Sequence, residues 1–372
     1  MITDEVSGTE SASGPQPPST RLRDLHPGWF ASVMGTGIVA VATFDNPGNF
    51  AATRAVAEGF AVGFAVLAYV LAAVLLVAYA MRWVRHVEAA EEDLHHPVMG
   101  AMHATVPAGI LVLAIMTSIV GPSFLPADAV APLIAVLAVV GALLGLVVSV
   151  AFAYQLFVSE HPASAANGVW FIPPVGTIII PLALMTLVPH VGMGAARLLV
   201  ALGYATFGMG FLLFIFTMGL LHNRLVQHAL PPAVLAPSVW IGLGPVGVGA
   251  LVPLALARGG APLFGDVGPA VGMISLLVST AIWGFGLWWI AIAVALLVRY
   301  LRNGGVPFHL GWWAFTFPLG AFTVASLNLA RAWQLAALEV VTVALYLLLV
   351  AFWGIVSVRT VAAVRSGSIW AR

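Results

Sequence analysis

An all-α integral membrane fold of ten spanning helices, paired as five hairpins, is what this sequence predicts. Three observations predict it: the chain is too apolar for water, its apolar stretches recur at spanning length, and one short motif returns once per helix pair. Of 372 residues, 61% are hydrophobic and 8% are charged, whereas a soluble domain carries about 25% charged residues. Lipid is the solvent for such a chain, and there the backbone must satisfy its own polar groups within helices. The 14 basic residues are all arginine, the net charge is zero and cysteine is absent. This balance gives no sign of a nucleic-acid partner, and the lack of cysteine excludes disulfides, thiolate metal sites and cysteine nucleophiles.

Residues 1–24 form an acidic tail rich in Ser, Thr, Pro and Gly, expected to be disordered on the cytoplasmic side. It lacks the basic start and apolar run of a signal peptide, so the first spanning helix is expected to direct insertion. Residues 25–362 are read as the spanning domain and 363–372 as a short cytoplasmic tail. Spanning takes about 20 residues, and tilted helices run longer. Apolar runs of that kind lie near 29–44, 55–81, 98–121, 130–158, 168–188, 196–221, 236–257, 268–298, 308–330 and 335–358. The first is short, and the fifth and seventh are broken by prolines. With the N-terminus inside, Arg21, Arg23, Arg82, Arg85, Arg224, Arg299, Arg302, Arg359, Arg365 and Arg372 face the cytoplasm. Arg54, Arg197, Arg258 and Arg331 face outward. That ten-to-four bias follows the positive-inside rule and puts both termini in the cytoplasm of a plasma-membrane protein.

The odd-numbered runs share a Pro-x-Gly motif: Pro107-Ala108-Gly109, Pro174-Val175-Gly176, Pro245-Val246-Gly247 and Pro318-Leu319-Gly320. The first run has Gly35-Thr36-Gly37 at the matching place. Successive motifs are 72, 67, 71 and 73 residues apart, a near-constant step that argues for five copies of one hairpin. Even-numbered runs are read as free of interior proline. A proline inside a helix frees a carbonyl and kinks the backbone at about 3 kcal/mol. Such breaks are tolerated only within protein or against a water-filled path. The odd helices are therefore expected to form a kinked inner ring around a pore, with the even helices outside, facing lipid.

The segment His26-Pro27-Gly28-Trp29-Phe30-Ala31-Ser32-Val33-Met34-Gly35-Thr36-Gly37-Ile38 resembles the opening helix of the tellurite-resistance/dicarboxylate transporter family. That family includes fungal malic acid transport proteins, fungal sulfite efflux pumps and plant slow anion channels. Pro237-Ser238-Val239-Trp240-Ile241-Gly242-Leu243-Gly244-Pro245 and Trp312-Trp313-Ala314-Phe315-Thr316-Phe317-Pro318-Leu319-Gly320 agree with it, and the likeness runs from about residue 25 to 360. The resemblance implies ten helices around a pore, assembly as a homotrimer, and passage of small anions. C4-dicarboxylate (malate) and sulfite lead as substrates, with halide or nitrate conduction through a passive channel as the alternative. It also implies a phenylalanine gate on the ninth helix. Phe317, beside the motif proline, is the matching residue, and Phe315 is the alternative.

The residues themselves add a few candidates. His103 is the one ionisable side chain placed well inside an inner helix, either a pH-sensitive pore residue or a neutral histidine bonded to a neighbouring helix. Glu88, Glu91, Glu92, Asp93, His95 and His96 read as a solvated cytoplasmic loop, because their spacing fits no metal motif. Gly242-Leu243-Gly244-Pro245-Val246-Gly247 matches G-x-G-x-x-G formally but follows no strand, so no dinucleotide is expected. Gly59-x-x-x-Gly63 and Gly141-x-x-x-Gly145 suit close helix contacts within or between subunits. The runs lack the carboxylate pairs or histidine-rich sets that a membrane-embedded enzyme would need. No cofactor or metal is therefore expected.

Overall fold

The computed structural model describes residues 21–370. Most of the expected disordered tail, and Arg372 of the expected cytoplasmic set, lie outside the described residues. Within them the chain is helical throughout, with no strand. Ten long helices follow in order: α1 (Ala31–Phe44), α2 (Arg54–Arg85), α3 (Thr105–Ile119), α4 (Ala127–Val158), α5 (Ile172–Met185), α6 (Met193–Gln227), α7 (Leu243–Phe264), α8 (Gly268–Arg302), α9 (Phe317–Trp333) and α10 (Ala336–Ser366).

Length and apolarity alone mark nine spanning runs among the described residues, one of them 70 residues long. That run would be about 105 Å as a single helix, against a bilayer core of about 30 Å. Gly265, at φ +50, breaks it between α7 and α8, a conformation that favours glycine. The even helices are long, from 31 to 35 residues. Basic residues cluster in the last turns of α2, α8 and α10, where they complement the negative helix end.

Burial separates the two sets. In the spanning windows that contain α1, α3, α5 and α9, 83% of residues are buried, against 28% or fewer in those of α2, α4, α6 and α10. The apolar side chains that α2, α4, α6, α8 and α10 expose, such as Phe60, Leu143, Phe216, Ile274 and Leu347, suit lipid rather than water. Each odd helix packs against the even helix that follows it, and α1, α3, α5, α7 and α9 pack in succession, with α9 returning to α1. Each even helix also leans on the next odd one.

The prolines do not sit where the sequence reading put them. Pro107, Pro174, Pro245 and Pro318 occupy the second or third residue of their α-helices. A first-turn N–H has no helical partner anyway, so proline fits there without the loss it causes in mid-helix. Most of these helices are entered through a 3-10 segment: Gly168–Phe171, Ala233–Gly242 and Leu310–Phe315, with Pro27–Phe30 before α1. The His103 carbonyl, which Pro107 cannot bond, accepts instead from the Val106 N–H at 3.2 Å. Even helices are not free of interior proline either, because Pro132 lies in the second turn of α4.

The motif glycines fill a packing role. An added Cβ on Gly247 would stand 2.5 Å from the Phe322 backbone nitrogen and 2.7 Å from the Ala321 carbonyl carbon, so α7 and α9 touch backbone to backbone there. Gly320 faces Ile38, Gly37 faces Val112, and Gly35 meets Thr316. Gly109 and Gly176 have ordinary spacing to their neighbours. Gly141 abuts Leu111 of α3, whereas Gly59 and Gly63 face open space.

Candidate functional site

One cavity of about 660 Å³ opens at the N-terminal ends of the odd helices. Its wall includes Ala31 and Met34 of α1, Thr105 of α3, Ile172 and Val175 of α5, Gly244 of α7, and Phe317 and Pro318 of α9. The first or second residue of every odd helix is therefore at the cavity. Relative to the motif, the same two steps recur in three repeats: Ala31 and Met34, Ile241 and Gly244, Ala314 and Phe317 lie four residues and one residue before it. The wall is mostly apolar and, among the described residues, carries no arginine. Its rim holds Asp24, Glu92, Asp93, His26, His96 and His309.

Five helix N-termini around one space act in a single direction. Each helix dipole places about half a positive charge at its N-terminus, where anions are favoured. The helix ends thus bring positive partial charge to a cavity that has no arginine among its lining residues, against the carboxylates of Asp24, Glu92 and Asp93. Nearby carboxylates are partly offset: Asp93 Oδ2 accepts from Arg82 Nη2 at 2.6 Å, both side chains being buried. The Arg82 guanidinium also donates to the Arg23 and Ala89 carbonyls. The segment read as a solvated acidic loop is instead a helix, Val87–His95, pinned over the end of α2 by this pair. No group of three metal-ligating side chains occurs among the described residues.

The rim shows a second repeat. His26 Nδ1 accepts the Gly28 N–H at 3.2 Å, His96 Nδ1 the Val98 N–H at 3.2 Å, Asn167 Oδ1 the Val169 N–H at 3.0 Å, and His309 Nδ1 the Gly311 N–H at 3.0 Å. Four of five inner segments thus begin on a side-chain cap. Three residues beyond the capping position stand Trp29, Met99, Trp170, Trp240 and Trp312, at steps of 70, 71, 70 and 72 residues. Four of the five are tryptophan, with Met99 in the second repeat, and that regularity was visible in the sequence. A nitrogen that accepts from a backbone N–H must be unprotonated, so each of these histidines caps in its neutral form. Burial pushes His309 below the usual histidine range, which favours that form.

The other candidates fall as follows. Phe317 lines the cavity with 5% of its surface exposed. Phe315 is outside the lining, packed with Trp240, Trp312 and Phe352 at ring separations of 5.4, 5.8 and 5.2 Å. His103 is also outside the lining; it donates from Nδ1 to the Met99 carbonyl at 3.0 Å and sits beside the rings of Tyr79 and Trp83. Of the ten motif residues Gly35, Gly37, Pro107, Gly109, Pro174, Gly176, Pro245, Gly247, Pro318 and Gly320, Pro318 lines the cavity and the other nine do not.

Comparison with known proteins points the same way as the helix ends. The profile of a family described as voltage-dependent anion channel matches residues 24–361. An uncharacterized transporter of Methanocaldococcus jannaschii is 31% identical over 350 residues, covering 94% of this chain and 96% of its own length. A second from the same organism is 29% identical, covering 94% and 97%. The sulfite efflux pump SSU1 of Arthroderma otae is 26% identical over 354 residues, covering 91% of each chain.

Proposed function

The chain belongs to the voltage-dependent anion channel family, and on that premise we propose that it passes small anions across the membrane along the axis of its inner helices. The observation that carries this reading is the meeting of five α-helix N-termini at one cavity. In this reading the cavity is a vestibule, Phe317 closes its floor, and an apolar ring blocks ions by excluding water. The motif residues hold the ring of inner helices together, and Pro318 also borders the path. His103 acts in helix packing.

Sulfite and C4-dicarboxylates such as malate are the leading substrates, sulfite having the support of the fungal relatives' activity. The arginine-free wall favours a second reading. With no fixed counter-charge an anion binds weakly and leaves fast, as a passive channel for chloride or nitrate requires. The spanning domain is 25–362, and the ten-to-four arginine bias supports cytoplasmic termini in the plasma membrane. The open Gly59 and Gly63 face of α2 is the surface on which a homotrimer would pack. A flux assay in proteoliposomes with malate, sulfite, chloride and nitrate at two pH values tests the reading. Movement of one or more of them above empty liposomes is expected, and none above that background overturns it.

A further inference from the structure

The inner helices continue past the cavity, and the residues that its face reaches at their far ends follow from helix geometry. At about 100° per residue, positions 11 and 14 residues on return to within about 20° and 40° of the starting face, some 16–21 Å further along. From the cavity residues Met34, Val175, Gly244 and Phe317, that count reaches Asp45, Thr186, Arg258, Asn328 and Arg331.

The side chains confirm that three of these helix ends converge. Arg258 of α7 donates from Nη1 to Asn328 Oδ1 of α9 at 3.0 Å. Arg331 of α9 donates from Nη2 to the backbone carbonyl of Asp45, just past α1, at 2.6 Å. Both arginines act electrostatically on the Asp45 carboxyl. Both are exposed, while Asp45 and Asn328 are half-buried. The ion pairs among the described residues are Arg54 with Glu58 and Arg82 with Asp93. Neither distal guanidinium is therefore bonded to a carboxylate. Each spends part of its five-donor fork on a neutral oxygen, which fixes its direction and leaves further donors for a guest.

We propose that Arg258 and Arg331 form an oxyanion-binding site at the distal mouth of the axis, opposite the capped cavity. This inference rests on the proposed anion passage and deepens it. The planar guanidinium matches two oxygens of a carboxylate or sulfite-like ion, which an ammonium does not. The Asp45 carboxyl, on which both guanidiniums act, opposes binding when ionised. Burial raises its carboxyl to about 6 despite the lowering effect of Arg331 and Arg258. Acidifying that side through this range removes the opposing charge. The other charged or titratable groups at this end on neighbouring elements are Arg54 and Glu58 of α2, bonded to each other at 3.2 Å, Glu339 in the first turn of α10, Arg197 in the second turn of α6, Asp266 between α7 and α8, and His190 just after α5.

The test measures sulfite and chloride flux in proteoliposomes for wild type, Arg258→Gln/Arg331→Gln, Arg258→Lys/Arg331→Lys and Asp45→Asn. The double Gln variant should lose about threefold of sulfite flux at about 20 mM ionic strength, and the deficit should fade near 0.5 M as charge is screened. The double Lys variant should keep the salt dependence but lose preference for sulfite over chloride. Asp45→Asn should raise sulfite flux at neutral pH and flatten its rise on acidification. Wild-type salt dependence in the Gln variant, or wild-type sulfite preference in the Lys variant, overturns the site. Should the Gln protein not assemble, the Lys comparison decides alone. Wild type that moves none of sulfite, chloride, malate and nitrate sinks the transport reading itself, a result distinct from active but unaffected arginine variants; where malate moves and sulfite does not, the same comparisons are read with malate.

Discussion

Phe317→Ala should raise anion flux by roughly ten- to 150-fold. The ring lines the cavity with 5% of its surface exposed. Moving a buried phenylalanine side chain aside forfeits about 1.5–3 kcal/mol of apolar burial. At about 1.4 kcal/mol per tenfold, the wild-type path would be open about a tenth to a hundred-and-fiftieth of the time, and truncation removes that penalty. Stopped-flow anion efflux from proteoliposomes reads the ratio directly, with thermal denaturation confirming that both proteins are assembled. Phe315→Ala is the matched control. Its ring is held by Trp240, Trp312 and Phe352, so its loss should cost about 3–5 kcal/mol of stability without raising flux. Wild-type flux in an assembled Phe317→Ala protein, or a rise confined to Phe315→Ala, would refute the gate.

Three further outcomes are expected. The chain has no cysteine, so single substitutions report water access cleanly. Ala31→Cys and Ala314→Cys, both in the cavity wall, should react with a charged thiol reagent that then lowers flux, while Leu143→Cys on the exposed face of α4 should be inert. His309→Ala removes a cap and should cost about 1 kcal/mol in denaturation, whereas His309→Asn should retain it, as Asn167 does. Because burial depresses the His309 pKa, its contribution is full above the ordinary histidine range and is lost as pH falls through the folded value. The Asn variant should lack that acid-side loss. Gly247→Ala drives a methyl into the α9 backbone and should destabilise the protein by about 1–3 kcal/mol, whereas Gly272→Ala in α8, facing open space, should not destabilise it.

The spanning helices were legible because lipid-facing chains must be apolar over a fixed length, and the five-step motif was legible because each hairpin repeats. The motif's meaning was not. Pro245 and Pro318 look mid-helical in a continuous apolar run, and only the 3-10 entry reveals that they start an α-helix. Sequence alone left open which helix end meets the central space; the position of Thr105, Ile172 and Phe317 at both helix start and cavity answers it. His103 stood out because it is ionisable within an apolar run, yet its register turns it toward α2. The capping residues were missed for the opposite reason. His26, His96 and His309 lie at the edges of apolar runs, where a polar residue attracts no notice until Trp29, Met99 and Trp312, three positions on, align them with the repeat. Arg258 and Arg331 entered the sequence reading as outward-facing charges for topology, since helix register past a proline needs coordinates.

The most direct test of the central claim is the reversal potential of the purified protein in a planar bilayer under a salt gradient, using the Phe317→Ala protein to give measurable current. Five converging helix N-termini predict a reversal potential near the anion equilibrium value, for chloride or for sulfite. A potential near the cation value, or no current above that of the bare bilayer, would contradict it.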